Sequence, residues 1–549
     1  MSVPQAGRRP FPSVALPLAA VGALLLAGCA GLRTPPAPLK LTVLHTNDHH
    51  GRFWANADGE YGLAARKTLI DQVRAEVAAA GGQLLLLDGG DVNTGVPESD
   101  LQQAEPDFKG MAAIGYDAMA VGNHEFDKPP AVLQRQRQWA GFPLLSANIR
   151  DAASGQRVFE PYRIFERGGR RIAVIGLTTD DTPRLVMPAN VAGLRFSRPA
   201  DEARALVGEL RGQVDMVIAA THMGHYVDGK AGVNAPGDVE LARAVPGLDL
   251  IVGGHSQNPV CMLAENRRNE AYKPGEPCAP DRQNGAWIVQ AHEWGKYVGR
   301  ADFVIDGGKV ELQRYQLLPV NLKVKAADGK KVNATAPIAE DPTLRALLEP
   351  FQQAGQRQLG VAVGQSDGVL DGDRTRVRAQ PTTLGTFIAS AMMARTGADL
   401  AVMNSGGVRD SLPAGVISYR DILKVQPFAN TVCTVDLSGA ELQAWLAAAA
   451  KMTPGSGAFP QTAGLRLRIA GGVIESLSIG GQPVDPQRRY RLAINNFMAA
   501  GGDGYPRLDQ HPGFVNTGFN DAEVLRGYLA ERSPLRVADF EPGDAVQRR

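Results

Sequence analysis

The 549-residue chain has little cysteine, only four residues, and no excess of charge: 58 Lys and Arg stand against 57 Asp and Glu, a formal charge of +1. No Cys-x-x-Cys pair occurs, which argues against a zinc ribbon. Once Arg8 and Arg9 near the N-terminus are set aside, the charge falls to −1. Such a balance disfavours binding a nucleic acid polymer over a broad surface, but it leaves room for a local anion site. No internal repeat or coiled-coil heptad is present. The one apolar stretch, Val14–Ala27, is too short to cross a membrane comfortably, which takes roughly 20 residues.

What is there begins with an export signal. Arg8 and Arg9 precede the apolar stretch, and Leu26-Ala27-Gly28-Cys29 closes it. That tetrapeptide resembles a bacterial lipobox, so residues 1–28 are expected to be removed and Cys29 to carry lipid. Arg8-Arg9-Pro10-Phe11 also faintly resembles a twin-arginine signal. Pro35, Pro36 and Pro38 stiffen a tether over residues 29–38. Ala30, rather than Asp, after Cys29 favours the outer membrane, so the expected location is the periplasm. Cys261 and Cys278 lie 17 positions apart in a polar, Pro-containing stretch, as expected for a loop cross-link in an oxidising compartment. Cys433 falls in the alternating run Thr431–Val435 and is expected to be a buried free thiol.

The length predicts two domains. Short apolar runs at Leu41–Leu44, Leu84–Leu87, Ala118–Val121, Ile172–Gly176, Met216–Ala220, Leu250–Val252 and Trp287–Gln290 suit strands covered on both faces. They place a layered α/β domain over residues 39–335. Asp341-Pro342 is an N-cap followed by a first-turn proline, and it opens a linker helix within 336–360, with Pro350 a kink or break. Residues 361–549 form a second, mixed α/β unit, with helices over Thr383–Thr396 and Gly439–Ala450.

The strand runs share a feature. They are followed by Asn47-Asp48-His49-His50, Gly89-Gly90-Asp91, Gly122-Asn123-His124-Glu125, Thr221-His222-Met223-Gly224-His225 and Gly253-Gly254-His255-Ser256-Gln257. Asp, His, Asn and Gln are thus delivered repeatedly to one edge of a sheet. Asp48 and His50 alternate on an extended strand end and can reach one ion. A carboxylate such as Asp91 can bridge two ions, which an imidazole cannot. Asn123, His222, His255 and Gln257 complete a mixed N/O set that suits Zn²⁺, Mn²⁺, Co²⁺ or Fe²⁺. Two ions about 3.5–4 Å apart can activate water and neutralise charge during displacement at phosphorus. A single such element is more often a surface histidine or a turn; five in order are not.

This order resembles the calcineurin-like metallophosphoesterases. The wording His-Thr-Asn-Asp-His-His-Gly, Gly-Asn-His-Glu-Phe-Asp and Gly-Gly-His-Ser-Gln resembles the family of bacterial periplasmic UDP-sugar hydrolases and 5′-nucleotidases, and the likeness runs through nearly all of the chain after the leader. The resemblance implies a four-layer α/β/β/α metallophosphoesterase domain. It implies one metal held by Asp48, His50, Asp91 and Gln257, and a second held by Asp91, Asn123, His222 and His255. His124 and Asp127 would be a catalytic dyad; His225, His292 and Glu293 are assigned packing or supporting roles.

In the C-terminal unit, arginines beside glycine turns can fork around phosphate oxygens, and two phenylalanines in polar loops can sandwich a flat base. The resemblance implies Arg374, Arg378 and Arg409 as phosphate contacts and Phe428 and Phe497 as the stacking pair. Asn430 and Asp503 would contact base or ribose, and the C-terminal domain would rotate about the linker. The expected function is metal-dependent hydrolysis of nucleoside 5′-phosphates and UDP-sugars by a monomer, for nucleotide salvage. The alternatives are a 2′,3′-cyclic-nucleotide phosphodiesterase/3′-nucleotidase, or a non-catalytic nucleotide-binding lipoprotein. The arginines and phenylalanines disfavour a sulfur-compound substrate.

Overall fold

The structure is a computed structural model that describes residues 37–548 apart from 187, 227–235, 327–328 and 454. The leader and Cys29 lie outside the described residues. The leucine run Leu84–Leu87 shows how the first layers arise. Successive strand side chains point to opposite faces, so Leu86 joins a core with Leu44, Met119, Leu63 and Phe108. Leu85 and Leu87 face the other way, towards Val43, Ala118, Ile172, Ile218 and Val252. A strand that is apolar on both faces is thus sandwiched between a helical layer and a second sheet.

The first sheet has six strands in the order Lys309–Pro319, Tyr297–Asp306, Leu39–Thr46, Gln83–Asp88, Ala118–Ala120 and Leu144–Leu145. The last four pair in parallel, and the first two are antiparallel additions. The second sheet runs Asp281–Gln283, Ala286–Val289, Leu250–Val252, Met216–His222, Arg170–Thr178 and Tyr162–Arg167, parallel through its four central strands. Its outer face packs on the helices Pro199–Leu210 and Asp238–Ala244 through Ala173, Ile175, Val217 and Leu206. The layers are therefore helix, sheet, sheet, helix. The carboxyl ends of the parallel strands form one rim, where open α/β sheets take their ligands.

The helix Pro342–Leu359 is capped by the Asp341 side chain, which accepts from Leu344 N at 2.7 Å. It runs unbroken through Pro350. Leu344 and Leu348, one turn apart and fully buried, anchor it in the first domain's core. That packing outweighs the hydrogen bond lost at the proline.

In the C-terminal unit a five-stranded mixed sheet is ordered Pro460–Ala463, Leu400–Asn404, Arg489–Asn495, Thr431–Ser438 and Phe514–Asn520. The helix Thr383–Thr396 covers one face, over Ala401 and Met403. The helix Gly439–Lys451 covers the other, over Leu400, Val402 and Cys433. Cys433 is a buried free thiol, pushed up to about 11 by burial. Cys261 and Cys278 form a disulfide. Among the described residues no helix is long and apolar enough to cross a membrane.

Candidate dimetal centre and nucleotide cavity

Every proposed metal ligand lies at the carboxyl end of a parallel strand. Asp48 and His50 follow Leu39–Thr46, Asp91 follows Gln83–Asp88, Asn123 follows Ala118–Ala120, and His255 and Gln257 follow Leu250–Val252. His222 is the last residue of its own strand rather than part of a turn, because Thr221 and His222 still pair with Leu177 and Thr178.

The backbone at these positions is unusual. Asp48, His50, Asp91, His255 and Gln257 all have positive φ, between 51° and 79°. Non-glycine residues adopt this region rarely, and a cluster of them indicates backbone held in place for a function. Glycines make the turns possible. A Cβ on Gly122 would sit 2.2 Å from Asp91 Oδ1, and one on Gly254 would lie 2.8 Å from Gly89 O.

The donors converge. Asp91 Oδ2 lies 2.9 Å from His222 Nε2, 3.9 Å from His50 Nε2 and 4.0 Å from His124 Nε2. His50 Nε2 is 3.8 Å from Asp48 Oδ1. Asp91 is common to two compact groups of candidate ligand atoms, one with His50 and His124, the other with His222 and His255. The far nitrogens are committed elsewhere: His50 Nδ1 contacts Asn93 O and Thr94 O at 3.0 and 2.8 Å, and His222 Nδ1 contacts Gly89 O at 2.7 Å. Carbonyls accept only, so each Nδ1 carries a proton, which leaves Nε2 as the atom that faces the cluster. His222 Nε2 is buried without a well-formed hydrogen bond. These are the features of a set that fits divalent cations. His255 Nδ1 meets Asn123 Oδ1 at 2.9 Å. Gln257 turns its amide nitrogen to His50 Nε2 at 2.6 Å and its oxygen to Arg374; the oxygen faces the centre only with the amide turned over.

Burial works against charge on His222, yet the Asp91 carboxylate beside it raises its pKa to about 10. Burial and the neighbouring His222 push His255 down to about 3. Burial would raise Asp91, but His222, His124 and His50 together hold it well below the carboxylate range.

Glu125, to which sequence reasoning gave no role, organises this ring. Its carboxylate accepts from Gly122 N at 2.7 Å, Asp91 N at 3.0 Å and Val92 N at 2.9 Å. It thereby fastens the Asp91 turn to the Asn123 turn. Its place after Asn123-His124 was the only sequence signal. Asp238 acts similarly behind His222, accepting from Thr221 Oγ1 at 2.6 Å and Gln290 Nε2 at 3.0 Å. His225 pairs with Asp281 at 2.9 Å, His292 stacks on Tyr297, and Glu293 pairs with Lys296 at 2.8 Å, in keeping with supporting roles.

His124 and Asp127 meet: His124 Nδ1 lies 2.6 Å from Asp127 Oδ2. Burial opposes protonation of His124, but Asp127 and Asp91 raise its pKa above the usual value.

The second domain closes over this rim. A cavity of about 500 Å³ is lined by Asp91, Asn123, His124, Asp127, His255 and Gln257 on one side. On the other side it is lined by Arg374, Arg378, Arg409, Phe428, Asn430, Phe497 and Asp503. Phe428 stacks on His124, and Arg409 lies over Phe428, 5.5 Å from its centroid. Phe497 rests on Gly502, where a Cβ would lie 2.5 Å from the ring. Asp503 Oδ2 accepts from Asn404 Nδ2 at 2.7 Å. Asn430 is buried, and its backbone carbonyl accepts from Asp521 N at 2.9 Å. Among the described residues Arg374, Arg378 and Arg409 have no carboxylate within ion-pair distance. Burial first, then their own mutual repulsion, holds Arg378 well below the guanidinium range and Arg409 down to about 10. Three crowded cations of this kind can accept an anion such as a phosphate between them.

Comparison with known proteins shows the family of both domains. The family model for calcineurin-like phosphoesterase matches residues 41–259, and that for the 5′-nucleotidase C-terminal domain matches 362–510. The chain is 58% identical over 515 residues to protein UshA of Escherichia coli, covering 92% of this chain and 94% of that one. It is 54% identical over 543 residues to a 5′-nucleotidase of Vibrio cholerae, covering 96% and 98%. Among solved structures, a 5′-nucleotidase precursor from Thermus thermophilus superposes with a TM-score of 0.76 at 30% identity, over 93% of this chain and 99% of that one.

Proposed function

Because the chain belongs to the calcineurin-like phosphoesterases that carry a 5′-nucleotidase C-terminal domain, we propose that it hydrolyses nucleoside 5′-phosphates and UDP-sugars across the cavity between its two domains. It is a nucleotide hydrolase of the metallophosphoesterase type, which uses divalent metal ions. The observation that carries the substrate reading is the shared cavity. The histidine and carboxylate ring and the His124–Asp127 pair occupy one wall, and three closely grouped arginines and two half-buried phenylalanines the other. A volume of about 500 Å³ suits one nucleotide.

Asp48, His50, Asp91 and Gln257 would hold one ion, and Asp91, Asn123, His222 and His255 the other. Zinc, manganese and cobalt fit such N/O donors. Bound there, such ions supply Lewis-acid activation of water and neutralise charge on the phosphoryl group. The remaining steps fall to side chains. Arg374, Arg378 and Arg409 orient phosphate oxygens, and the entering anion relieves their repulsion. Phe428 and Phe497 hold the base, with Asn430 and Asp503 at its edge or the ribose. His124 points Nε2 at the reacting phosphoryl and donates a proton or hydrogen bond to the oxygen that gains charge. Asp127 fixes the ring and stabilises its charged form.

The reading extends to location. Leu26-Ala27-Gly28-Cys29 supports an exported lipoprotein anchored through Cys29 at the periplasmic face of the outer membrane, and the Cys261–Cys278 disulfide suits an oxidising compartment. In that setting a monomeric enzyme would release nucleosides from external nucleotides for salvage. Release of the protein from membranes on Cys29→Ser tests the anchor. A phosphate-release panel over nucleoside 5′-phosphates, 3′-phosphates, cyclic nucleotides and UDP-sugars, with defined added metal, tests the substrates. Preference for 3′-phosphates or cyclic nucleotides would reject the assignment.

A further inference from the structure

Thr94 stands where the metal ring and the His124–Asp127 pair touch. It is almost fully buried and lies outside the lining of the cavity. Its φ is +65°, and a β-branched residue in that region is a genuine outlier that its surroundings must impose. Both of its polar ends are used. The carbonyl accepts from His50 Nδ1 at 2.8 Å, sharing that proton with Asn93 O. The hydroxyl donates to Asp127 Oδ2 at 2.6 Å, the same oxygen that meets His124 Nδ1. An extended φ would carry the carbonyl and the hydroxyl away from one partner or the other.

We propose that Thr94 is a positioning residue for the hydrolysis: its carbonyl fixes the tautomer of His50 while its hydroxyl holds Asp127 against His124, so one strained residue aligns the metal ring with the proton-donating pair. The inference rests on His124 and Asp127 serving the reaction as described above. Thr94 is also tied down the chain. Gly95 N donates to Asp100 Oδ2 at 3.1 Å, and Glu98, four residues on, pairs with Arg420 of the second domain at 2.8 Å. Arg420 lies on the helix Tyr419–Val425, which runs directly into Phe428. The segment Asp91–Glu98 therefore spans a metal ligand, the threonine and a contact to the substrate-binding domain.

The test compares Thr94→Val, which keeps shape and carbonyl but loses the hydroxyl, with Thr94→Ser, which keeps both polar groups. The valine variant should lose about 10- to 100-fold in kcat, the range seen when outer partners of active groups are removed. Its KM for a nucleoside 5′-phosphate and its zinc affinity, measured by competition with a chromophoric chelator, should stay within about twofold. The serine variant should recover kcat to within about threefold. In an Asp127→Asn background, Thr94→Val should add less than about twofold, because its effect passes through Asp127. Thr94→Ala, which is less strained at this φ, replaces valine if that variant does not accumulate. Wild-type kcat in the valine or alanine variant, an equal loss in serine, or an undiminished effect in the Asp127→Asn background overturns the proposal. Full activity of Asp127→Asn alone would instead reject the dyad.

Discussion

The ring of Phe428 lies against the imidazole of His124, with centroids 6.0 Å apart and planes inclined by 16°. One residue belongs to the 5′-nucleotidase C-terminal domain and the other to the metallophosphoesterase domain, so the proposed base platform and the proposed proton donor are neighbours. A base resting on Phe428 would lie beside His124, whose Nε2 is 4.0 Å from Asp91 Oδ2.

Phe428→Ala should therefore separate binding from chemistry. Base stacking on an aromatic ring contributes about 1–3 kcal/mol, which corresponds to a rise in KM for AMP of roughly 5- to 160-fold. Hydrolysis of a small aryl phosphate diester, which has no base, should change by less than about threefold. Steady-state kinetics on both substrates checks this. Equal losses on the two would show that Phe428 serves the dyad rather than the base.

Gly122→Ala addresses the metal ring through its backbone. The new methyl would lie 2.2 Å from Asp91 Oδ1 and 2.6 Å from Asp91 N, so the shared carboxylate must move. The variant should fold, bind fewer than two ions per chain at a metal concentration that saturates the parent, and lose at least about 100-fold in kcat/KM. Metal content by elemental analysis, read beside circular dichroism, decides the matter. A fully loaded, active variant would mean that Asp91 does not need this close approach.

His45 gives a pH dependence that is independent of the cavity. Burial holds its imidazole down to about 3, in a site stacked on Tyr315 and closed by Gly299. Between about 3 and 6.5 the unfolded chain binds a proton that the folded chain refuses. Stability must then rise with pH across that window and fall as acid is added, by about 1.4 kcal/mol per pH unit for one proton. His45→Gln should flatten the dependence of unfolding free energy by one proton over the same range, whatever its effect at neutral pH. An unchanged slope from urea titrations between about pH 4 and 6 would contradict the buried neutral form.

The candidate metal ligands were readable because each follows a short apolar run, and because donor-rich turns at successive strand ends have few other uses. Burial on both faces follows equally directly from a run such as Leu84–Leu87, whereas the four layers came from the family resemblance. What the sequence withheld depends on contacts between distant segments. Pro350 reads as a kink or break, but Leu344 and Leu348 hold the helix in a core that no local pattern announces. Glu125 and Thr94 look like ordinary turn residues, and their importance lies in which backbone and side-chain groups they meet. The strand carrying His222 continues through it because a neighbouring strand pairs there. The arginines stood out in the sequence as candidate anion ligands, whereas their crowding against one another emerges only once the loops are folded together.

The most direct test is crystallographic. Anomalous diffraction from crystals of the active enzyme grown with zinc or manganese should show two ions about 3.5–4 Å apart, with the Asp91 carboxylate between them. His50 should contact one ion and His222 the other. A single ion, or two ions that do not share Asp91, would contradict the account.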